Sequence, residues 1–379
     1  MDRILYIAMA DIHRQSGGGY ANRAFYESLR LHYPDKVDLV QFQEYVEEDD
    51  KNSYGVPPKS GKEKIFDLSR GIIHRFTPWL LEFVRNNGHK YGCCVINNGI
   101  LGDIIPEIKE IIPTIVMIHH NDEATFQKDN NRPTTFWGLT SYFVNRNQKK
   151  SYEYADLNVF LTEYDKVFFE NKYGGINSQK NVVVGIYETQ EQYSPLENRD
   201  LPANVLAITG ALHNIQTLKG VKDFYSHYLN VLQRYYDNNY KLIIAGRNPG
   251  KCIKSLQSNN INVVANPVDM KDVVNKAGIF VCPIHVGSGL KLRIMDGLKM
   301  GMPILTHAVS ARGYEYFKNE RWFQIYDDSE SFWEGLKQIN DAIKTESNLQ
   351  RIIYEKYREY FSFEEGDKRF YNAIKKVYG

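Results

Sequence analysis

Cysteine is scarce: four residues in 379 (Cys93, Cys94, Cys252 and Cys282), two of them adjacent and none in a CxxC pair. That excludes a disulfide framework and offers neither a zinc-ligand spacing nor a redox dithiol. It fits a reducing compartment, so a cytoplasmic protein is expected. Charge of one sign is also missing, since 47 Lys+Arg against 46 Asp+Glu leave a net charge of +1. A general nucleic-acid binder would need a basic face, so nucleic acid is not an expected partner. No apolar run approaches the ~18 residues that span a bilayer. The short run Ile4 to Ala10 follows an acid, Asp2, is closed by Asp11 and has no small-residue cleavage site. It reads as a first β-strand, not a signal peptide. No repeat at a solenoid period is present.

What is present is enough apolar material, 42% of residues, to build real cores, which rules out a disordered or collagen-like chain. At ~150 residues per domain the length suggests two or three domains. Tyrosine is abundant, with Tyr 27 against Phe 19. A wet aromatic surface or a mere compositional bias accounts for this, and the bias is the simpler account.

Short β-branched runs recur between longer helical stretches: Arg3–Met9, Val37–Phe42, Cys93–Asn97, Thr114–His119, Leu157–Leu161 and Asn181–Gly185, then Val205–Thr209, Lys241–Ala245, Ile261–Ala265, Ile279–Cys282 and Pro303–Thr306. Most are continuously apolar instead of alternating, as expected of parallel strands covered on both faces. Strands alternating with helices specify βαβ units. The rhythm breaks once, at the polar, proline-bearing segment Tyr193–Pro202, which reads as an interdomain linker. The expected fold is therefore α/β, with two Rossmann-like doubly wound domains facing across a cleft. Their expected bounds are 1–195 and 203–350, with a terminal helical segment, 351–379, packing on the body. Val46–Lys64, rich in charge, Gly and Pro, is expected to be a mobile loop.

The stretch with the most chemistry is Ile279–Thr306, IFVCPIHVGSGLKLRIMDGLKMGMPILT. A buried strand leads into a loop carrying Gly287, Ser288 and Gly289, and a helix is expected from about Leu290. Helix starts leave N–H groups unpaired at the positive end of the dipole and hold phosphate well. Lys291 and Arg293 add cationic charge, and Asp296 is placed to accept from a ribose diol by analogy with dinucleotide folds. Taken alone, the turn is as compatible with a tight connection before a charged helix face. In the first half, Gly17, Gly18 and Gly19 precede a helical segment, Tyr20–His32, and permit close backbone approach. A dinucleotide fingerprint would need glycine where Asn22 stands, so nicotinamide binding is not favoured. His119 and His120 end a strand, where neighbouring side chains point to opposite faces. One is expected in the core and the other in the site.

The long string as a whole resembles the C-terminal signature of retaining GT-B glycosyltransferases of family 4 (glycosyl transferases group 1), in its GSG subgroup. Asp296 stands where Glu is commoner, Gly297 where Ala is usual, and Ser288 where many members have a first acid. Ala155–Asp165 with Tyr173-Gly174 is similar to the segment near the end of the family's first domain. Val205–Thr209, Gly210 and Lys219-Gly220 resemble the entry to its second. Ala211 occupies the position of an arginine that, with the lysine, binds the donor diphosphate in the family; Arg247 is the alternative cation. His120, Asn121 and Glu123 match an "HN-x-E" element whose histidine orients the donor sugar, with His119 as the fallback.

The resemblance implies a hexosyltransferase-type enzyme that moves a sugar from a nucleotide-diphosphate sugar, UDP favoured, to an acceptor hydroxyl with retention. The acceptor class is saccharide, lipid-linked or protein-linked, in bacterial polysaccharide or glycoconjugate synthesis. His120, Lys219 and Lys291 are the implied catalytic groups. Gly18, Gly19, Gly210, Arg247, Gly287, Ser288, Gly289, Leu290, Arg293 and Asp296 are the implied donor contacts. No metal or other cofactor is implied, and Asp327-Asp328 lies too late to serve as a DxD string. Two alternatives stand: a non-catalytic paralogue acting as partner or chaperone, favoured by Ala211 and Ser288, and a nucleotide-sugar epimerase. Peripheral contact with the inner face of a membrane is an expectation for the basic, aromatic stretches Ile72–Lys90 and Phe136–Tyr154.

Overall fold

The computed structural model describes residues 2–13, 17–47, 50–130, 137–175, 178–190 and 199–379. Residues 193–198 of the expected linker, and Phe136, lie outside the described residues. The chain divides into two compact units, Met1–Tyr193 with Phe361–Gly379, and Ser194–Tyr360.

The first unit holds β1 (Arg3–Ala8), α1 (Gly17–His32), β2 (Val37–Phe42), β3 (Ser53–Val56), α2 (Gly61–Ser69), α3 (Phe76–Asn87), β4 (Tyr91–Asn97), α4 (Ile105–Ile111), β5 (Thr114–His119), α5 (Glu123–Asn130), α6 (Trp137–Tyr154), β6 (Leu157–Phe160), α7 (Glu163–Tyr173) and β7 (Asn181–Val183). Its strands are all parallel, in the order β3-β2-β1-β4-β5-β6-β7. Strand β1 shows why continuous apolar runs are needed. Ile4, Tyr6 and Ala8 face one core with Phe25 and Leu29 of α1, while Leu5 and Ile7 face the other with Leu80 and Val84 of α3. Helices cover both faces, and period 2 sends alternate residues to each.

The second unit holds β8 (Val205–Ala211), α8 (Ile215–Asp223), α9 (Leu229–Tyr235), β9 (Lys241–Arg247), α10 (Lys251–Lys254), β10 (Ile261–Ala265), α11 (Met270–Val274), β11 (Ile279–Cys282), α12 (Arg293–Lys299), β12 (Ile304–His307), β13 (Phe323–Tyr326), α13 (Ser329–Thr345) and α14 (Leu349–Phe361). Its parallel strands run β10-β9-β8-β11-β12-β13. The last helix, α15 (Phe363–Ile374), belongs to the first unit. There Gly366 lies against the Tyr187 ring and Asp367 meets Ser28 and His32 of α1. The terminal segment expected at 351–379 thus divides at Phe361.

Two strands differ from the sequence reading. Ser53–Val56, inside the segment expected to be a loop, pairs with β2 as an edge strand (Leu39 opposite Ser53, Phe42 opposite Val56). It buries Val56 alone, so its sequence carries almost no apolar signal. Phe323–Tyr326 forms the opposite edge strand, against β12.

Candidate functional site

In an open parallel sheet a crevice forms at the carboxyl ends where the strand order reverses. In the second unit that point lies between β8 and β11. The segment after β11 turns through Gly287 (φ +100°) and Gly289 (φ +72°), backbone angles that an L side chain would strain. Helix α12 then starts at Arg293, not near Leu290, and its N-terminal flank Leu292 supplies no side-chain cap.

Lys291, implied as a catalytic cation, is held within its own turn. Its buried ammonium donates to the carbonyls of Ser288 (2.8 Å) and Gly289 (3.3 Å), holding the turn from inside, and its own carbonyl accepts from the Tyr314 hydroxyl (2.9 Å). Three further cations belong to this part of the second unit. The Arg293 guanidinium lies over Gly210, where an added Cβ would sit 2.5 Å from Nη1. Desolvation lowers its pKa, and the nearby Arg247 charge acts in the same direction against Asp296. Arg247 pairs in register with Ala211, so a cation stands on the strand beside the arginine-less position. Lys219, one residue before the glycine through which α8 packs on Pro283 and Ile284, is exposed. The side chains of Lys219, Arg247 and Arg293 enter no ion pair or hydrogen bond among the described residues.

Among the described residues two buried polar atoms here also lack partners, Gln216 Nε2 and Ser288 Oγ, and Gln216 packs directly on Gly287. Buried polar groups are normally satisfied, so these two atoms could accept partners from a bound molecule or water. Gln216 was not legible beforehand, because no spacing singles out a buried amide in the first turn of α8. Asp296 keeps an accessible side chain, while desolvation raises its carboxyl pKa against the pull of Lys299 and Arg293. Leu290 sits in the turn, partly exposed.

In the first unit the order reverses between β1 and β4. Gly17, Gly18 and Gly19 form the first turn of α1 itself, not a loop ahead of it. His119 turns into the core, its Nε2 bonded to Asn158 Oδ1 (2.9 Å) and its ring stacked on Phe160 at 5.0 Å. His120 turns the other way, partly exposed, with Nε2 bonded to Asn97 at the end of β4. Asn97 was missed by sequence reasoning. Beside them Asn98 Nδ2 donates to Glu123 Oε1 (3.1 Å), and Asn121 Oδ1 is buried without a partner among the described residues.

Residues 203–341 match the family model described as Glycosyl transferases group 1. Among solved structures the whole chain is similar to the lipopolysaccharide outer core galactosyltransferase WaaB, with a TM-score of 0.65, 13% identity and 99% of both chains covered. Anabaena HepE in complex with UDP gives a TM-score of 0.62 and 11% identity over 99% of this chain and 100% of that one. The chain has the GT-B fold. The same likeness extends to the N-terminal domain of Candida albicans trehalose-6-phosphate phosphatase (TM-score 0.62, 12% identity, 99% and 97% covered), so this fold by itself does not name a reaction. No curated protein sequence matches.

Of the apolar residues expected at a membrane, Leu80, Phe83 and Val84 of α3 and Val144 of α6 are core, Trp79, Leu81 and Phe143 are partly buried, and Leu139 is exposed. Arg146 and Lys150 pair with Asp103, and Lys149 with Glu153. No helix of the described residues is long and apolar enough to cross a membrane. Asp328 caps α13, accepting from Ser331 N (2.8 Å), which accounts for the Asp327-Asp328 pair structurally.

Desolvated titratable groups are expected to make the first unit acid-sensitive. Desolvation lowers His74, His119 and His120 to about 4, and raises Glu123 to about 7. Between the folded value near 4 and the unfolded value near 6.5, each histidine binds a proton only when unfolded, so stability rises with pH. Glu123 acts oppositely between about 4.5 and 7, because its folded form holds the proton. Three groups against one predict that the unfolding midpoint of this unit falls as pH drops from about 6.5 to 4.5, measured by urea titration. A flat profile would mean that the histidines open to water.

Proposed function

We propose that the chain is a retaining glycosyltransferase that moves a sugar from a UDP-sugar to an acceptor hydroxyl in polysaccharide or glycoconjugate synthesis. The observation that carries this reading is the β8–β11 crevice, where Arg293, Arg247 and Lys219, and two buried polar atoms beside a glycine turn, have no partner among the described residues. A diphosphate has the charge and the acceptor oxygens that such a set lacks. UDP and UDP-glucose in the HepE complexes support the donor class. In the reaction the bond from the sugar carbon to the diphosphate oxygen breaks, the acceptor oxygen bonds to that carbon, and the acceptor proton leaves with the diphosphate. Arg293, Arg247 and Lys219 stabilise the charge that develops on the leaving group, and Gln216 and the Gly287–Gly289 N–H groups add preorganised donors.

Because those cations carry the neutralisation, turnover is expected to be unchanged by EDTA. A thermal-shift panel of nucleotide sugars tests the donor, since a true ligand stabilises the folded state by mass action. UDP and one UDP-sugar are expected to raise the midpoint, with transfer to acceptor following. Stabilisation by GDP alone would reassign the base. Tight protein-partner binding with no donor turnover would favour the second reading, a non-catalytic paralogue, which Ser288 and the inward Lys291 support.

A peripheral membrane contact belongs to the same reading, but α2 suits it better than α3 or α6. Helix α2 buries Asp67 yet leaves Ile65 and Phe66 73% and 62% exposed. Lys62 and Lys64 are unpaired among the described residues, and Arg70 lies over Phe66 at 5.5 Å. Ile65→Ser with Phe66→Ser is expected to abolish co-sedimentation with anionic vesicles while donor binding stays intact. Retained sedimentation would remove α2 from this role.

A further inference from the structure

The crevice of the first unit contains a chain of hydrogen bonds that reads as a proton ruler. The Tyr6 hydroxyl donates to the Asn22 carbonyl (2.8 Å). A hydroxyl has one proton, so toward its other neighbour Tyr6 acts as acceptor, and Asn97 Nδ2 donates to it (2.6 Å). That orients the Asn97 amide with Oδ1 toward His120, where an oxygen with no proton meets Nε2. Nε2 must therefore supply the hydrogen. A neutral imidazole has one N–H, which leaves the lone pair on Nδ1. Tyr6 and Asn97 are buried, so water does not compete for the relay.

We propose that Asn97, held by Tyr6, is a positioning residue that fixes His120 as the Nε2–H tautomer, so that bare Nδ1 presents a hydrogen-bond acceptor to a sugar hydroxyl. The hydroxyl rests on the glycosyltransferase reading; the tautomer does not. His120 Nδ1 has no hydrogen-bond partner among the described residues, which leaves it available to a ligand. Burial also favours the uncharged ring. The arrangement explains why a histidine at this strand end is useful without being a proton donor: it sorts for a ligand O–H and against an ether or carbonyl oxygen.

The test is long-range proton–nitrogen NMR on the full chain at neutral pH, with the His120 signals assigned by their loss in His120→Gln. The expected spectrum shows a protonated-type Nε2 and a bare-type Nδ1. In Tyr6→Phe, a near-isosteric change, and in Asn97→Leu, the ring is expected to become a mixture of tautomers. Donor KM should then rise roughly three- to tenfold, about one hydrogen bond, with a smaller effect on kcat. An Nδ1–H tautomer or an imidazolium in the wild type would overturn the proposal, as would an unchanged tautomer in Tyr6→Phe. The expected spectra without turnover of any nucleotide sugar would uphold the tautomer and overturn the glycosyltransferase reading alone.

Discussion

Arg293→Met is expected to raise the thermal midpoint and at the same time weaken UDP binding about ten- to hundredfold. The two effects share one cause. The guanidinium lies over Gly210, where desolvation lowers its pKa and no ion-pair partner stands among the described residues, so its charge is expected to cost stability. Replacing it with an apolar side chain of similar length removes that cost, as is common where function requires a strained or unpaired group. On the proposed reading a bound diphosphate would supply a partner, and charge-assisted hydrogen bonds of this kind contribute about 1.5–3 kcal/mol. Calorimetric titration with UDP and a melting curve measure both. Unchanged affinity would remove Arg293 from the diphosphate site, and a lowered midpoint would mean that it anchors the turn. Lys291→Met should behave differently, losing stability and affinity together, because its ammonium holds the carbonyls of Ser288 and Gly289.

Gly246→Ala is expected to cost more than about 4 kcal/mol, enough to leave the second unit unfolded. An added Cβ would lie 1.6 Å from the Gly210 carbonyl oxygen, backbone against backbone, where Gly210 and Gly246 pair in the β8–β9 ladder. No side-chain movement relieves such a contact, and separating the strands would disrupt the sheet under the crevice. The control is Gly61→Ala at the start of α2, where nothing lies within 4 Å and little change is expected. Urea unfolding of both variants decides the matter. A Gly246→Ala protein within about 1 kcal/mol of wild type would show that β8 and β9 can part without loss of the fold.

The parallel cores were legible because each strand covered on both faces needs an apolar run, and the buried strands β5 and β11 have the bounds their runs suggest. Strand β3 was not, since an edge strand that buries only Val56 looks like its charged surroundings. The return of α15 to the first unit was not legible either. Its aromatic spacing marks a buried face but does not say which body covers it. At the site, the opposite orientations of His119 and His120 follow from strand alternation. The direction of Lys291 does not, because a sequence shows a cation without showing that the carbonyls of its own turn claim it. Asn97 and Gln216 escaped for a related reason: a single amide becomes informative only when its partners, or their absence, are known.

The crevice at the carboxyl ends of β8 and β11 is proposed as the nucleoside diphosphate site. Hydrogen exchange of the full chain with and without UDP tests it most directly. The account predicts slowed exchange confined mainly to peptides covering 211–220 and 283–292, with a smaller effect around Arg247. Saturating UDP that leaves those peptides unchanged, or protects instead the segment from Asn97 to Glu123 alone, would contradict it.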